Sequence, residues 1–111
     1  MNAQKALGEG EEEERARYLQ EKIIAFVAVF YRIDPAEIKR RTRQAKIVAP
    51  RQIAVYLLRE LMGLSWPCIG KIFGVDHSTA IHAYQKIKRK RSADARLNDE
   101  IQQITDAIQK Y

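Results

Sequence analysis

Apolar side chains recur along this chain at helical spacing. Leu19, Ile23, Phe26, Phe30 and Ile33 follow a 4-3-4-3 rhythm, which lays one stripe along a helix from about Glu13 to Arg32. Leu97, Ile101, Ile104, Ile108 and Tyr111 repeat that rhythm and predict a last helix from about Ala93. Between them, Asp34-Pro35-Ala36-Glu37 has the form of a helix start: a capping Asp, Pro at the first helical position and an acid three residues after the cap. The helix it opens is short and ends near Arg41. Pro50 is expected to open a third helix running to Leu61 or Met62 and stopping at Gly63. There Ile53, Ala54, Leu57, Leu58 and Leu61, with Leu64 beyond, supply a buried face, and Arg51, Val55 and Arg59 fall outside.

From Ser65 to Arg91 the pattern changes to a short helix, a tight turn and a longer helix that begins polar and ends basic. Ser65 is placed to cap the short helix, with Pro67 in its first turn, where a missing N–H costs little. Gly74 follows Ile69, Ile72 and Phe73, where a helix ends by turning left-handed. Asp76 or Ser78 can cap the longer helix. On that helix Ala80, Ile81, Tyr84 and Ile87 gather on one side, while Ser78, His82, Gln85, Lys86 and Arg89 gather opposite, flanked by Thr79. The exposed stripe carries hydroxyl, imidazole, amide and cationic groups, with no acid between Asp76 and Arg91. Two helices joined by a short Gly-containing turn form the helix-turn-helix pattern, and such a stripe suits the base edges and phosphates of a major groove. An ordinary solvated face with a basic end is the alternative.

The predicted class is all-α, with about six helices in one domain of 111 residues. Residues 1–14 are expected to be an acidic, frayed or disordered start, and residues 15–111 the helical unit, with a core at 20–91 and a last helix at 93–110. The two 4-3-4-3 stripes can cover each other or the core within one chain. They can also form the seam of a weak dimer; the expected state is a monomer or such a dimer.

Charge sharpens the functional reading. The chain carries a net +6, but residues 39–91 hold thirteen Lys/Arg against only Glu60 and Asp76, a net +11 between acidic flanks. A polyanionic partner follows, and nucleic acid is the commonest. Lys39 to Lys46 reads as a basic loop without apolar periodicity, either an arm entering an adjacent minor groove or a linker tracking phosphates. The longest apolar run, Ile23 to Tyr31, is about half of a membrane span. With no secretory signal, a cytoplasmic, nucleoid-associated protein without membrane contact is expected.

Catalytic chemistry is not indicated. His77 and His82 are five residues apart and diverge on one helix, so neither they nor the lone Cys68 make a plausible metal site. No Gly-rich phosphate loop, nucleophile elbow or paired-carboxylate arrangement occurs. The expectation is a non-enzyme without metal, cofactor or nucleotide.

Pro50-Arg51-Gln52-Ile53-Ala54-Val55-Tyr56-Leu57, Ser65-Trp66-Pro67-Cys68-Ile69-Gly70 and Asp76-His77-Ser78-Thr79-Ala80-Ile81-His82-Ala83 resemble the C-terminal DNA-binding domain (domain IV) of the bacterial replication initiator DnaA. The likeness covers roughly residues 20–91. It implies a TrpR-like helical architecture that reads a nine-base-pair box in double-stranded DNA and regulates replication initiation. By the same resemblance, Asp76, His77, Ser78 and Thr79 read major-groove base edges, and Arg43 enters the minor groove. Trp66 and Pro67 line the groove wall. Lys46, Arg51, Gln52, Arg59, His82 and Lys86 hold phosphates or support the helix.

Three departures stand out. The family's Gly-Gly-Arg/Lys before the Asp-His pair is here Gly74-Val75, shorter and uncharged. The Arg before its Pro-Arg-Gln is Ala49. No Gly-x-x-x-x-Gly-Lys-Ser/Thr of the ATPase domain is present, so the chain is expected to be a free-standing relative or a fragment, and Met1 and the acidic start favour the former. A transcriptional regulator with a diverged site is the second reading. An interaction module that has lost DNA binding is the third.

Overall fold

The structure is a computed structural model describing residues 2–111, with side chains from Gly10 onward; Met1 lies outside the described residues. Six helices make up the described residues: α1 (Asn2–Phe30), α2 (Pro35–Ile38), α3 (Ala45–Met62), α4 (Trp66–Phe73), α5 (His77–Ala93) and α6 (Ala95–Lys110). The all-α expectation holds. The helix expected from Glu13 runs back to Asn2, and Gly10 to Tyr18 are exposed.

At the end of α1 the chain reverses through a left-handed residue. Arg32 has φ 59°, while the Ile33 amide donates to the Ala28 carbonyl and the Arg32 amide to that of Val29. These two bonds form the closing pattern usually made by Gly. Asp34 then caps α2, accepting from the Ala36 amide at 2.8 Å.

Two expectations about α3 are corrected. It begins at Ala45, with Pro50 inside it, because the extended Gln44 accepts the amides of Ile47 and Val48 and starts the helix a turn early. Ala45 and Lys46 are therefore helical rather than part of the basic loop. Val55, placed outside by periodicity, is buried, as is every residue from Ile53 to Leu58. The reason is position: α3 packs against α1, α2, α4 and α5 and has no single core-facing side.

Around α3 the core continues with Ile23, Ile24 and Val27 of α1, Ile69 and Phe73 of α4, Ala80, Ala83 and Ile87 of α5, and Ile101, Ile104 and Ile108 of α6. The terminal helices α1 and α6 pack on each other within the chain. The Tyr31 hydroxyl donates to Glu100 Oε1 at 2.9 Å across this contact. Burial, with that bond and the adjacent carboxylate charge, pushes the phenol far above its usual range.

The α4–α5 corner rests on two glycines. Gly74 (φ 65°) ends α4 left-handed, and the Val75 amide returns to the Gly70 carbonyl at 2.9 Å. Gly70 sits so close beneath that turn that a Cβ on it would lie 2.5 Å from the Val75 carbonyl oxygen. Backbone cannot swing aside as a flexible side chain does. Gly70→Ala is therefore expected to cost about 1–3 kcal/mol through overpacking, and Leu58→Ala about 2–5 kcal/mol through the cavity it leaves. Urea unfolding midpoints check both; a wild-type midpoint for Gly70→Ala would show that the turn yields freely.

Candidate nucleic-acid interface

Helix α5 divides into two faces, but its buried side is rotated from the one the spacing predicts, taking in Ala83 and leaving Ile81 and Tyr84 at the margin. Ala80, Ala83 and Ile87 are buried against the core, and His77, Ser78, Thr79, His82, Gln85, Lys86 and Arg89 are exposed. α5 packs on α3 and α4 through this side, while its opposite face stays open. Ile81 and Tyr84 are half-buried at the margins.

Asp76 caps α5. Its Oδ1 accepts from the Thr79 amide at 2.9 Å and from the Ser78 hydroxyl at 3.0 Å. Hydrogen bonds from the Thr79 backbone, the Thr79 side chain and Ser78 hold this exposed carboxyl below its usual pKa. The cap thereby fixes the first turn of α5 and the orientation of Ser78.

The basic segment 39–44 lies beside this turn. Arg41, Thr42, Arg43 and Arg51 line one polar groove together with Gly74, Val75, Asp76 and Thr79. The fold thus joins Arg43 to the start of α5, across more than thirty residues of sequence. Arg51 anchors the segment: its Nε donates to the Ile38 carbonyl at 2.9 Å, its Nη1 to that of Thr42 at 3.3 Å, and its Nη2 to that of Arg40. Half-buried there, its guanidinium has a lowered pKa through desolvation. Lys46 is exposed on the first turn of α3, and Gln52 is half-buried.

Arg59 and Trp66 occupy a different place. The Arg59 guanidinium lies 4.4 Å from the Trp66 ring centroid and donates to the Leu64 carbonyl at 2.8 Å. Trp66 meets Tyr84 edge-on at 5.4 Å, and Tyr84 stacks on Tyr56 at 5.4 Å. The Tyr84 hydroxyl donates to Glu60 at 2.8 Å, and that bond is the main cause raising its pKa. This ladder ties α3, α4 and α5 together. Trp66 is half-buried in it, while its neighbour Pro67 is exposed.

Sequence reasoning passed over Arg41. It stands in a run of cations that periodicity cannot rank, and only the fold brings its guanidinium over Gly74. Among the described residues no group of three or more His, Cys, Asp and Glu side chains could hold a metal ion, and no helix is long and apolar enough to cross a membrane.

Comparison with known proteins points the same way as the geometry. The family described as bacterial dnaA protein helix-turn-helix matches residues 20–87. The chromosomal replication initiator protein DnaA of Thermoanaerobacter sp. (strain X514) is 44% identical over 85 residues, covering 77% of this chain and 19% of that protein. DnaA of Burkholderia multivorans (strain ATCC 17616 / 249) is 45% identical over 89 residues, covering 79% and 17%. A crystal structure of a DNA replication initiation factor superposes with a TM-score of 0.77 at 27% identity, over 91% of this chain and 32% of its own. The chain spans about a fifth of the length of the curated relatives it matches.

The Asp76 cap makes the start of α5 sensitive to acid. Its folded-state pKa lies below the unfolded value, so its contribution is present at neutral pH and is lost as pH falls through that depressed value, below the ordinary carboxylate range of about 4. Asp76→Asn should keep a capping oxygen yet remove this pH dependence. Amide exchange at Thr79, followed between neutral and acid pH in both proteins, checks it. Identical acid sensitivity in the variant would assign the effect to another carboxylate.

Proposed function

The chain belongs to the bacterial DnaA helix-turn-helix family, and on that premise we propose that it binds double-stranded DNA sequence-specifically, recognising DnaA-box-like sites and regulating replication initiation. The observation that carries this reading is the open face of α5. His77, Ser78, Thr79, His82 and Lys86 point to solvent together, with the basic segment alongside. In this reading α5 enters the major groove. His77, Ser78 and Thr79 meet base edges, as does Asp76 through the carboxylate oxygen not used by the cap.

Arg43 reaches the adjacent minor groove from the basic segment. Lys46, His82 and Lys86 take phosphates, and Pro67 and the edge of Trp66 abut the groove wall. Arg51 and Gln52 act mainly as supports: the Arg51 guanidinium is spent on the carbonyls of Ile38, Arg40 and Thr42, at the end of α2 and in the segment that presents Arg43. Arg59 keeps Nε and Nη2 for a phosphate while stacking on Trp66. The functional unit is residues 15–111, with 1–14 an acidic lead outside the interface. The protein acts by binding rather than catalysis, without cofactor, nucleotide or membrane, in the cytoplasm at the nucleoid. It works as a monomer or a weak dimer.

The uncharged turn Gly74-Val75 supports one variant of this reading, a transcriptional regulator whose preferred site has diverged. Selection from a random duplex pool separates the two by the sequence recovered, and recovery of no preferred sequence would remove both. With about five to seven phosphates engaged, log K should fall against log salt with a slope of roughly −5 to −6; a slope near zero would leave an interaction module without DNA binding. His77→Ala or Thr79→Ala should cost about 1–3 kcal/mol on the selected site and little on random duplex. Equal losses on both would mean that α5 does not read bases.

A further inference from the structure

Four cations stand within five residues at Lys39, Arg40, Arg41 and Arg43, and the fold treats them differently. Lys39 Nζ pairs with Glu21 at 3.1 Å, and Arg40 Nη1 with Glu37 at 2.8 Å. Among the described residues, Arg41 and Arg43 have no carboxylate partner. Both are exposed and line the groove beside the turn before α5. Arg41 is bent over that turn: its Nε and Nη2 lie 3.5 and 3.6 Å from where a Cβ on Gly74 would stand. The turn itself, Gly74-Val75-Asp76, holds no cation and one carboxylate. A DNA strand crossing the start of α5 would therefore meet Asp76 alone, were it not for the guanidinium brought in from the basic segment.

We propose that Arg41 is a phosphate contact of the α4–α5 turn, supplied in space from the basic segment because the turn has no cation of its own. Gly74 contributes through its backbone: its left-handed φ ends α4 and sets the turn beneath Arg41, whose guanidinium lies at ordinary contact distance from it. The contact places a planar, permanently charged donor in the groove that Asp76 and Thr79 line, at the start of α5, and offsets the Asp76 charge. Lys39 and Arg40, neutralised by their partners, tie the segment to α1 and α2 instead. The proposal rests on the DNA-binding reading, but it concerns one residue within it.

The test is the salt dependence of duplex binding by the full chain, with Arg41→Gln, Arg41→Lys and Arg40→Gln as variants. Gln keeps much of the packing over Gly74 and removes the charge. One phosphate contact contributes about 0.9 to the slope, so wild type should lose roughly 3.5-fold more affinity than Arg41→Gln between 50 and 200 mM salt. Arg41→Lys should restore most of that difference, and Arg40→Gln should track wild type. A wild-type slope in Arg41→Gln overturns the assignment and leaves Arg41 as packing. An equal drop in Arg41→Gln and Arg40→Gln also overturns it, because a diffuse basic segment would behave so. Absence of salt-dependent binding by wild type is a separate result that removes the DNA reading itself.

Discussion

The close seating of α5 on α3 is the constraint on which the rest depends. Ala80, Ala83 and Ile87 are all buried on the core side of α5, and α3 is the helix that α5 packs against most extensively. With that side committed to the core, the opposite side is forced outward, and it carries His77, Ser78, Thr79, His82, Gln85, Lys86 and Arg89. Gly70 enforces the approach at the corner, since the Val75 carbonyl occupies the space where a side chain would begin. The face a partner would meet is thus set by apolar packing on the far side of the same helix.

The second element of the surface is a segment with little regular structure of its own. Segment 39–44 lies between α2 and α3 and is held by polar contacts rather than by a hydrophobic face. Arg51 supplies two of them, to the Arg40 and Thr42 carbonyls, and a third bond to Ile38 at the end of α2, which fixes chain path without restricting which side chains the segment carries. Lys39 and Arg40 add exposed ion pairs, each worth little by itself, but together they use up the cations nearest α1 and α2. What remains unpaired faces α5. Arginine side chains therefore do two jobs here, anchoring in one case and presenting charge in the others.

Concentrating a net +11 on about half the chain works against a stable fold, because like charges repel. The structure spreads that cost. Arg59 lies on the Trp66 ring, and Arg91 donates to the Tyr56 hydroxyl at 3.1 Å and to Asn98 at 2.7 Å. The aromatic ladder of Trp66, Tyr84 and Tyr56 lies between these two cations and joins three helices. Asp76 is the one acid left at the tip of α5, and there it also completes the helix.

Local chemistry was legible in the sequence. Asp34, Ser65 and Asp76 act as caps, Gly63 and Gly74 as left-handed ends, and the polar face of α5 follows from spacing, because each depends on residues within one or two helical turns. The family resemblance was legible for the same reason, being carried by short motifs on those helices. What only the tertiary structure decided depends on neighbours distant in sequence. Val55 was misplaced because periodicity assumes one buried side, and α3 is enclosed on several. Pro50 suggested a helix start that Gln44 provides earlier, since a proline one turn inside a helix forfeits only one amide bond. The separation of Lys39 and Arg40 from Arg41 and Arg43, and the seating of Arg41 over Gly74, required coordinates: four adjacent cations are equivalent in sequence until carboxylates from α1 and α2 choose among them.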